Sequence, residues 1–503
     1  MANMFTDDDE TPAAGGITIK DLSPDQHEVY NSVLSWLRHP TSEPLTLGGY
    51  AGTGKSTLVS LVAREVDLPS FCAYTGKASS ILRRKLKAGG IDTVGAQRGK
   101  PRRDVYGEEL VEQRPYCGTI HSLIYKMCEC RDPLYLEKPC PQEGCSEETI
   151  WSEGRSLCLG GHAGLIETEK ALLALEGKHV YVKRNPDGSC AMCGNKGWLR
   201  REILDRDYSL IIVDEASMVD DTMLRDLLSY EIPILAVGDH GQLPPVSGTG
   251  SLMKNPMLRL EQIHRQAEGN PIIALSKMVR EQGMLPDSTS DDRVRLGGLR
   301  QLEALIEQRY ADASAERLLE MGLACYTNRR RVGMNEAVRK ARGVTKTGRE
   351  LPRKGEHVIC LRNMKPPGME PVYNGMRGVL QNDADWKDNG RDDDSETHLT
   401  ASVAFPEDDI AAREFDMLAH QFGRERTYSQ VEELAQETGI RSFGAAGALF
   451  DFGYAMTVHK MQGSQFDDLV VAAERPGPVS NEDWRRWLYT AVTRASNKLT
   501  VLR

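Results

Sequence analysis

The stretch Gly49-Tyr50-Ala51-Gly52-Thr53-Gly54-Lys55-Ser56 constrains this chain more than any other. It lies between a short apolar run, Pro44 to Leu47, and a helical pattern from Lys55 to Val66, so the local order is strand, glycine-rich loop, helix. Glycines there let backbone N–H groups wrap phosphates, and the helix N-terminus adds partial positive charge. Lys55 is placed to reach the outer phosphates and the Ser56 hydroxyl to hold Mg²⁺; Gly49, Gly52, Thr53, Gly54 and Thr57 complete the cradle. A helix starting at Ser23-Pro24 and running through Val29, Val33 and Leu37 precedes the loop. Apolar runs at Tyr208 to Val213 and Ile232 to Val237 read as buried strands, and this alternation predicts a parallel α/β sheet covered on both faces.

With 503 residues the chain is long enough for roughly three domains. A formal charge of -10 argues against a generally basic coat for nucleic acid, although a locally basic channel fits inside an acidic protein. No apolar run approaches a membrane span, and residues 1–16 lack the basic start and apolar stretch of a signal peptide. They read as a disordered acidic lead, and the protein as cytoplasmic.

Two further strand ends carry chemistry. Asp214-Glu215 follows Leu210 to Val213, where Asp214 would hold the Mg²⁺ shell and Glu215 would polarise the attacking water. Gly238-Asp239-His240-Gly241-Gln242-Leu243-Pro244-Pro245 ends the next strand, and Gln242 is a neutral group suited to hydrogen-bond a γ-phosphate and sense its loss.

These three motifs in order closely resemble those of a superfamily 1 helicase. The resemblance implies two RecA-like lobes, ATP and Mg²⁺ in the cleft between them, and single-stranded DNA across their tops. It implies further roles. Arg265, in Leu260-Glu261-Gln262-Ile263-His264-Arg265-Gln266, takes the place of an arginine finger, and His264 that of a ring stacked on the base. Arg494, in Trp487 to Ala495, takes the place of the last motif's arginine, Gln26 that of an adenine-reading glutamine, and Gly463 a nucleotide contact. Thr75, Lys77, Thr119, His121, Thr457, His459 and Lys460 fall where the family contacts single-stranded DNA. The segments Thr75-Gly76-Lys77-Ala78, Thr119-Ile120-His121 and Val372-Tyr373-Asn374-Gly375 look most like the RecD and Dda group, which implies 5′ to 3′ translocation and a small SH3-like β-barrel.

Where that group has a short strand-splitting hairpin, this chain carries seven of its 11 cysteines, between Cys128 and Cys193. Cys128, Cys130, Cys140, Cys145, Cys158, His162, Cys190 and Cys193 are eight soft ligands in four close pairs, suited to one or two structural Zn²⁺ ions or else left as reduced thiols. The segment is expected to replace or enlarge the wedge, with a replication or recombination protein as a further partner.

The organisation expected is a first lobe from residues 17–123 and 199–264, the Cys-rich insertion at 124–198, a second lobe from 265–350 and 446–503, and the barrel at 351–445. The leading reading is an ATP-dependent helicase acting on single-stranded and fork DNA, without membrane attachment. An RNA helicase and a partner-dependent ATPase motor or recruitment subunit are the alternatives.

Overall fold

The computed structural model describes residues 18–94, 114–127 and 208–503, apart from 245–251, 263–268, 290, 347–349, 365–369, 388–396, 409 and 441–445, with short strand pieces between 102 and 200. The chain divides into two compact units, one of residues 1–120 with 206–503 and one of 121–205.

In the larger unit, β1 (Leu45–Gly49), β2 (Pro69–Ala73), β3 (Tyr116–Thr119), β4 (Leu210–Asp214), β5 (Ile234–Gly238) and β6 (Leu258–Leu260) form one sheet in the order β6-β1-β5-β4-β2-β3. Every pairing in it is parallel. Helices α1 (Pro24–Arg38), α2 (Lys55–Arg64) and α3 (Gly76–Ala88) accompany it. Ser23 and Gln26 form a capping box at the start of α1, and Pro24 occupies its first turn, where its missing N–H costs nothing. Strands β1, β2 and β5 are buried along their whole length, the burial expected of parallel strands covered on both faces.

A second parallel sheet begins with β7 (Val294–Gly297) and β8 (Met321–Cys325). β7 is an edge strand with Arg295 in its middle, so it offers no apolar run to recognise. The chain then leaves that sheet for β9 (His357–Cys360), β10 (Arg377–Leu380), β11 (His398–Phe405), β12 (Ile410–Leu418) and β13 (Phe450–Phe452). It returns as β14 (Ala455–Thr457), β15 (Phe466–Ala472) and β16 (Ala495–Leu502), giving the order β7-β16-β15-β8-β14.

Strands β9 to β13 pair antiparallel, β13-β9-β10-β11-β12, and a bridge between Met417 and Ala448 joins the two ends of that path. The sheet therefore curls on itself around Phe405, Phe415 and Phe450, whose rings lie 5.4 to 6.3 Å apart. Alternate burial along β11 fits a wall with one face inward.

In the smaller unit, Tyr125–Met127 pairs antiparallel with Trp198–Arg200, and Lys138–Pro139, Glu148–Ser152 and Arg155–Cys158 make a three-stranded antiparallel sheet.

Candidate nucleotide site and strand-end surface

The loop after β1 is shaped by glycines that no other residue replaces without strain. Gly52 and Gly54 have φ of 82° and 79°, in the left-handed region, and a Cβ on Gly49 would come within 2.7 Å of Thr53 Oγ1. Lys55 Nζ donates to the carbonyls of Gly49 at 2.6 Å and Tyr50 at 2.9 Å, and Thr53 Oγ1 donates to Tyr50 O at 2.9 Å. Gln26 is buried and its Nε2 donates to Thr53 O at 3.0 Å, while its Oε1 accepts from Ser23 N. Its amide therefore braces the loop from behind.

Because β1, β5 and β4 are adjacent in the sheet, their carboxyl ends bring the three sequence motifs side by side. Asp214 Oδ1 accepts from Glu215 N at 2.9 Å. Glu215 has φ 52°, a sparsely populated conformation for a residue with a side chain. Burial, with the Asp214 charge beside it, raises the Glu215 carboxyl above its ordinary range, while Arg494 and Lys55 pull it back. Asp239 accepts from Gly241 N at 2.9 Å, and Gln242 Nε2 lies 3.4 Å from Asp239 Oδ2. Gln242 Oε1 is buried without a partner, a free acceptor beside the acidic pair.

The second sheet closes the site. A cleft of about 230 Å³ is lined by Lys55, Ser56, Thr57 and Asp214 on one side and by Gly463 and Arg494 on the other. Glu215 and Gln242 also face it. Arg494 is buried, with Nε donating to Thr490 O at 3.2 Å. The sequence reading missed Tyr489, whose hydroxyl donates to Asp239 Oδ2 at 2.7 Å and accepts from Ala51 N at 3.2 Å. It also missed Tyr50, which has Arg280 3.5 Å over its ring and His240 beside it at 4.4 Å. Aromatic residues inside or next to each motif were the only signal for either.

The cleft fits a magnesium nucleotide by the chemistry of its donors: a glycine cradle that a Cβ would fill, an ammonium, a hydroxyl, two carboxylates and an unpaired amide oxygen.

The residues expected on a nucleic-acid track fare differently. Thr457 ends β14 and directly precedes a short helix, Val458–Met461, which holds His459 and Lys460. Lys460 Nζ donates to Asn374 Oδ1 at 2.6 Å, and burial lowers its pKa to about 8. Thr75 caps α3, accepting from Ala78 N, and Thr119 is buried at the end of β3. Lys77 departs from the expectation. It is buried and ion-paired to Glu407 at 3.1 Å, which removes its ammonium from the open surface. His121 lies in the smaller unit, exposed, with Tyr125 5.5 Å away.

His264 and Arg265 lie outside the described residues, as do Cys128, Cys130, Cys140, Cys145, His162, Cys190 and Cys193. Of Cys158 only the strand backbone is described. The cysteines whose side chains are described, Cys72, Cys117, Cys325 and Cys360, are buried free thiols.

A P-loop ATPase site shared between two parallel sheets is the class this geometry defines. Comparison with known proteins agrees: residues 38–248 match the model of an AAA domain and residues 452–502 that of a UvrD-like helicase C-terminal domain. An ATP-dependent RecD2 DNA helicase of Deinococcus radiodurans is 26% identical over 326 residues, 61% of this chain and 38% of that protein. The chain thus spans under two fifths of that relative's length. Solved structures that overlay include a Pif1 helicase from Bacteroides in complex with ADP-AlF3 and ssDNA, at 16% identity, 95% and 92% coverage and TM-score 0.45. Another is a Pif1 helicase from Candida albicans, at 17% identity, 96% and 95% coverage and TM-score 0.42. These overlays are loose, and the fold follows from the sheet orders above. The likeness is to helicases, with the AAA match falling on the first sheet and the UvrD-like C-terminal match on the end of the second.

Proposed function

We propose that this chain is an ATP-driven DNA helicase that moves 5′ to 3′ along a single strand and splits duplex at a fork. The observation that carries this is the convergence of Lys55, Asp214, Glu215 and Gln242 from one sheet with Arg494 from the other around one cleft. Lys55 and the glycine loop bind and orient the phosphates, and Ser56 and Asp214 would hold Mg²⁺, which neutralises phosphate charge. Glu215, kept above the usual carboxylate range by burial, takes the proton of the attacking water, and Gln242 Oε1 orients that water. Arg494 is in place only when the two sheets face each other across the cleft, so hydrolysis is coupled to their relative movement. The RecD2 likeness supports DNA as the track, and the polarity rests on the resemblance of the Thr75-Gly76-Lys77-Ala78 and Thr119-Ile120-His121 segments to the RecD and Dda group. The cysteine-rich segment remains our candidate for one or two Zn²⁺ ions, and metal analysis of the purified chain tests it. The clustering of seven cysteines between Cys128 and Cys193, closer to metal-ligand spacing than to a disulfide framework, supports an intracellular setting.

Steady-state hydrolysis of ATP, alone and with single-stranded DNA or RNA, tests the reading, with Lys55→Ala as control. Strong stimulation by DNA that the control lacks supports it, and tailed duplexes then give polarity. Equal turnover with and without nucleic acid refutes it.

A further inference from the structure

The second sheet carries an aromatic stack that the ATPase site does not use. Trp484 and Trp487, one turn apart on the helix Asn481–Val492, lie face to face with ring centroids 4.8 Å apart and 7° between planes. Tyr326 extends the stack, 5.5 Å from Trp487 and 6.2 Å from Trp484, and His459 meets Tyr326 edge-on at 6.3 Å. Trp487 is fully buried and fixes the stack to the core, whereas Trp484, Tyr326 and His459 are half-buried.

Its place in the fold is as informative as its chemistry. Tyr326 directly follows β8 and His459 lies two residues beyond β14, and these strands are parallel neighbours with Cys325 opposite Thr457. The rings therefore stand at the carboxyl edge of the second sheet, whereas Gly463 and Arg494, which line the nucleotide cleft, flank the amino end of β15, where Phe466 N donates to Arg494 O at 2.8 Å. The same carboxyl edge holds a cleft of about 540 Å³ lined by Arg329, Arg330 and Arg475, with Glu474 pairing Arg330 at 2.7 Å and Arg329 exposed. The negative charge of Asp483 acts on Tyr326, so a polyanion is drawn toward the arginine-lined cleft rather than toward the start of the helix Asn481–Val492.

Flat rings held rigid beside guanidinium groups match a single nucleic-acid strand, with bases on the rings and phosphates on the arginines. We propose that Trp484, with Tyr326 and His459, is a base-stacking platform that holds unpaired nucleobases of the translocated strand. The inference rests on the helicase reading and goes beyond it, since a strand gripped by its bases at this edge slips less between steps.

The test is anisotropy titration of the full chain with labelled oligo(dT) and with an abasic oligonucleotide of equal length. Base stacking contributes enough that Trp484→Ala should weaken oligo(dT) binding about tenfold. Abasic binding should be unchanged, and Trp484→Phe should keep most of the affinity. Near-UV circular dichroism and thermal melting show whether each variant is folded. Equal oligo(dT) affinity in wild type and Trp484→Ala overturns the platform alone, as does an equal loss on both oligonucleotides or no recovery in Trp484→Phe. Failure of the wild-type chain to bind either oligonucleotide overturns the helicase reading and the platform with it.

Discussion

The Tyr489 hydroxyl donates to Asp239 Oδ2 at 2.7 Å and accepts from the Ala51 backbone N–H at 3.2 Å. One oxygen on the second sheet's helix thus ties together the phosphate loop and the Gly-Asp turn of the first sheet. Thr490 and Gln462 reinforce it, Oγ1 accepting from Leu243 N at 3.0 Å and Nε2 donating to Leu243 O at 3.3 Å.

Tyr489→Phe removes that oxygen and little else. Buried Asp239 and half-buried Ala51 are each then left short of a bond, so stability should fall by about 2 kcal/mol. ATP turnover should fall with it, because the loop loses its tie to the second sheet. Urea denaturation and steady-state hydrolysis check this, and an unchanged midpoint with unchanged turnover rejects it.

Glu215 titrates above the ordinary carboxylate range because burial and the neighbouring Asp214 charge disfavour its ionised form. A base must be deprotonated to act, so turnover should rise with pH through that raised value. Glu215→Gln should cut turnover by roughly a hundredfold or more and flatten the limb. A rise that survives the substitution assigns the limb to another group.

Glu407 joins Lys77 at 3.1 Å to Arg377 at 2.7 Å, and Arg377 in turn donates to the main-chain carbonyls of Leu319 and Met321. Burial pushes the Glu407 carboxyl up, but the two cations outweigh it and hold it at about 2. A depressed folded pKa contributes stability that is complete above the unfolded value of 4.5 and is lost as pH falls from there toward 2. Glu407→Gln leaves two buried cations facing each other and should cost about 3 kcal/mol at neutral pH. Denaturation midpoints compared at neutral and acid pH should show the gap between wild type and variant narrowing in acid.

Gly76→Ala places a Cβ 2.2 Å from Tyr373 Cγ, where α3 meets the curled antiparallel sheet. Alanine normally favours a helix by up to about 1 kcal/mol over glycine, yet the clash should make this variant about 1 to 3 kcal/mol less stable. Adding Tyr373→Ala opens the space, so the double variant should lose less than the two single losses summed. Additive losses would show that the contact is not the cause.

The elements that were legible in the sequence are those whose signal is local. Glycines at fixed spacing specify the loop after β1, since Gly52 and Gly54 occupy a left-handed backbone region that residues with a side chain rarely adopt. Apolar runs at β4 and β5 marked strands buried on both faces. Strands β7, β12 and β13 escaped because Arg295, Arg413 and Asp451 interrupt their apolar pattern. The ion pair of Lys77 was not legible for a related reason: nothing near it in the chain announces Glu407, 330 positions away.

Sequence alone determined the chemical inventory of the site: a phosphate-wrapping loop, an acidic pair, a Gly-Asp-x-x-Gln turn and a late arginine, each on a strand end or helix of recognisable pattern. Tertiary structure decided which of these meet. Strand order β1-β5-β4 differs from chain order and puts three motifs edge to edge, and Tyr489 from the helix Asn481–Val492 and Arg494 from the turn after it reach them, both more than 240 residues further along the chain than Asp239. Such pairings are set by burial and charge compensation between distant segments, which cost chain entropy to bring together and leave no periodic trace in either segment.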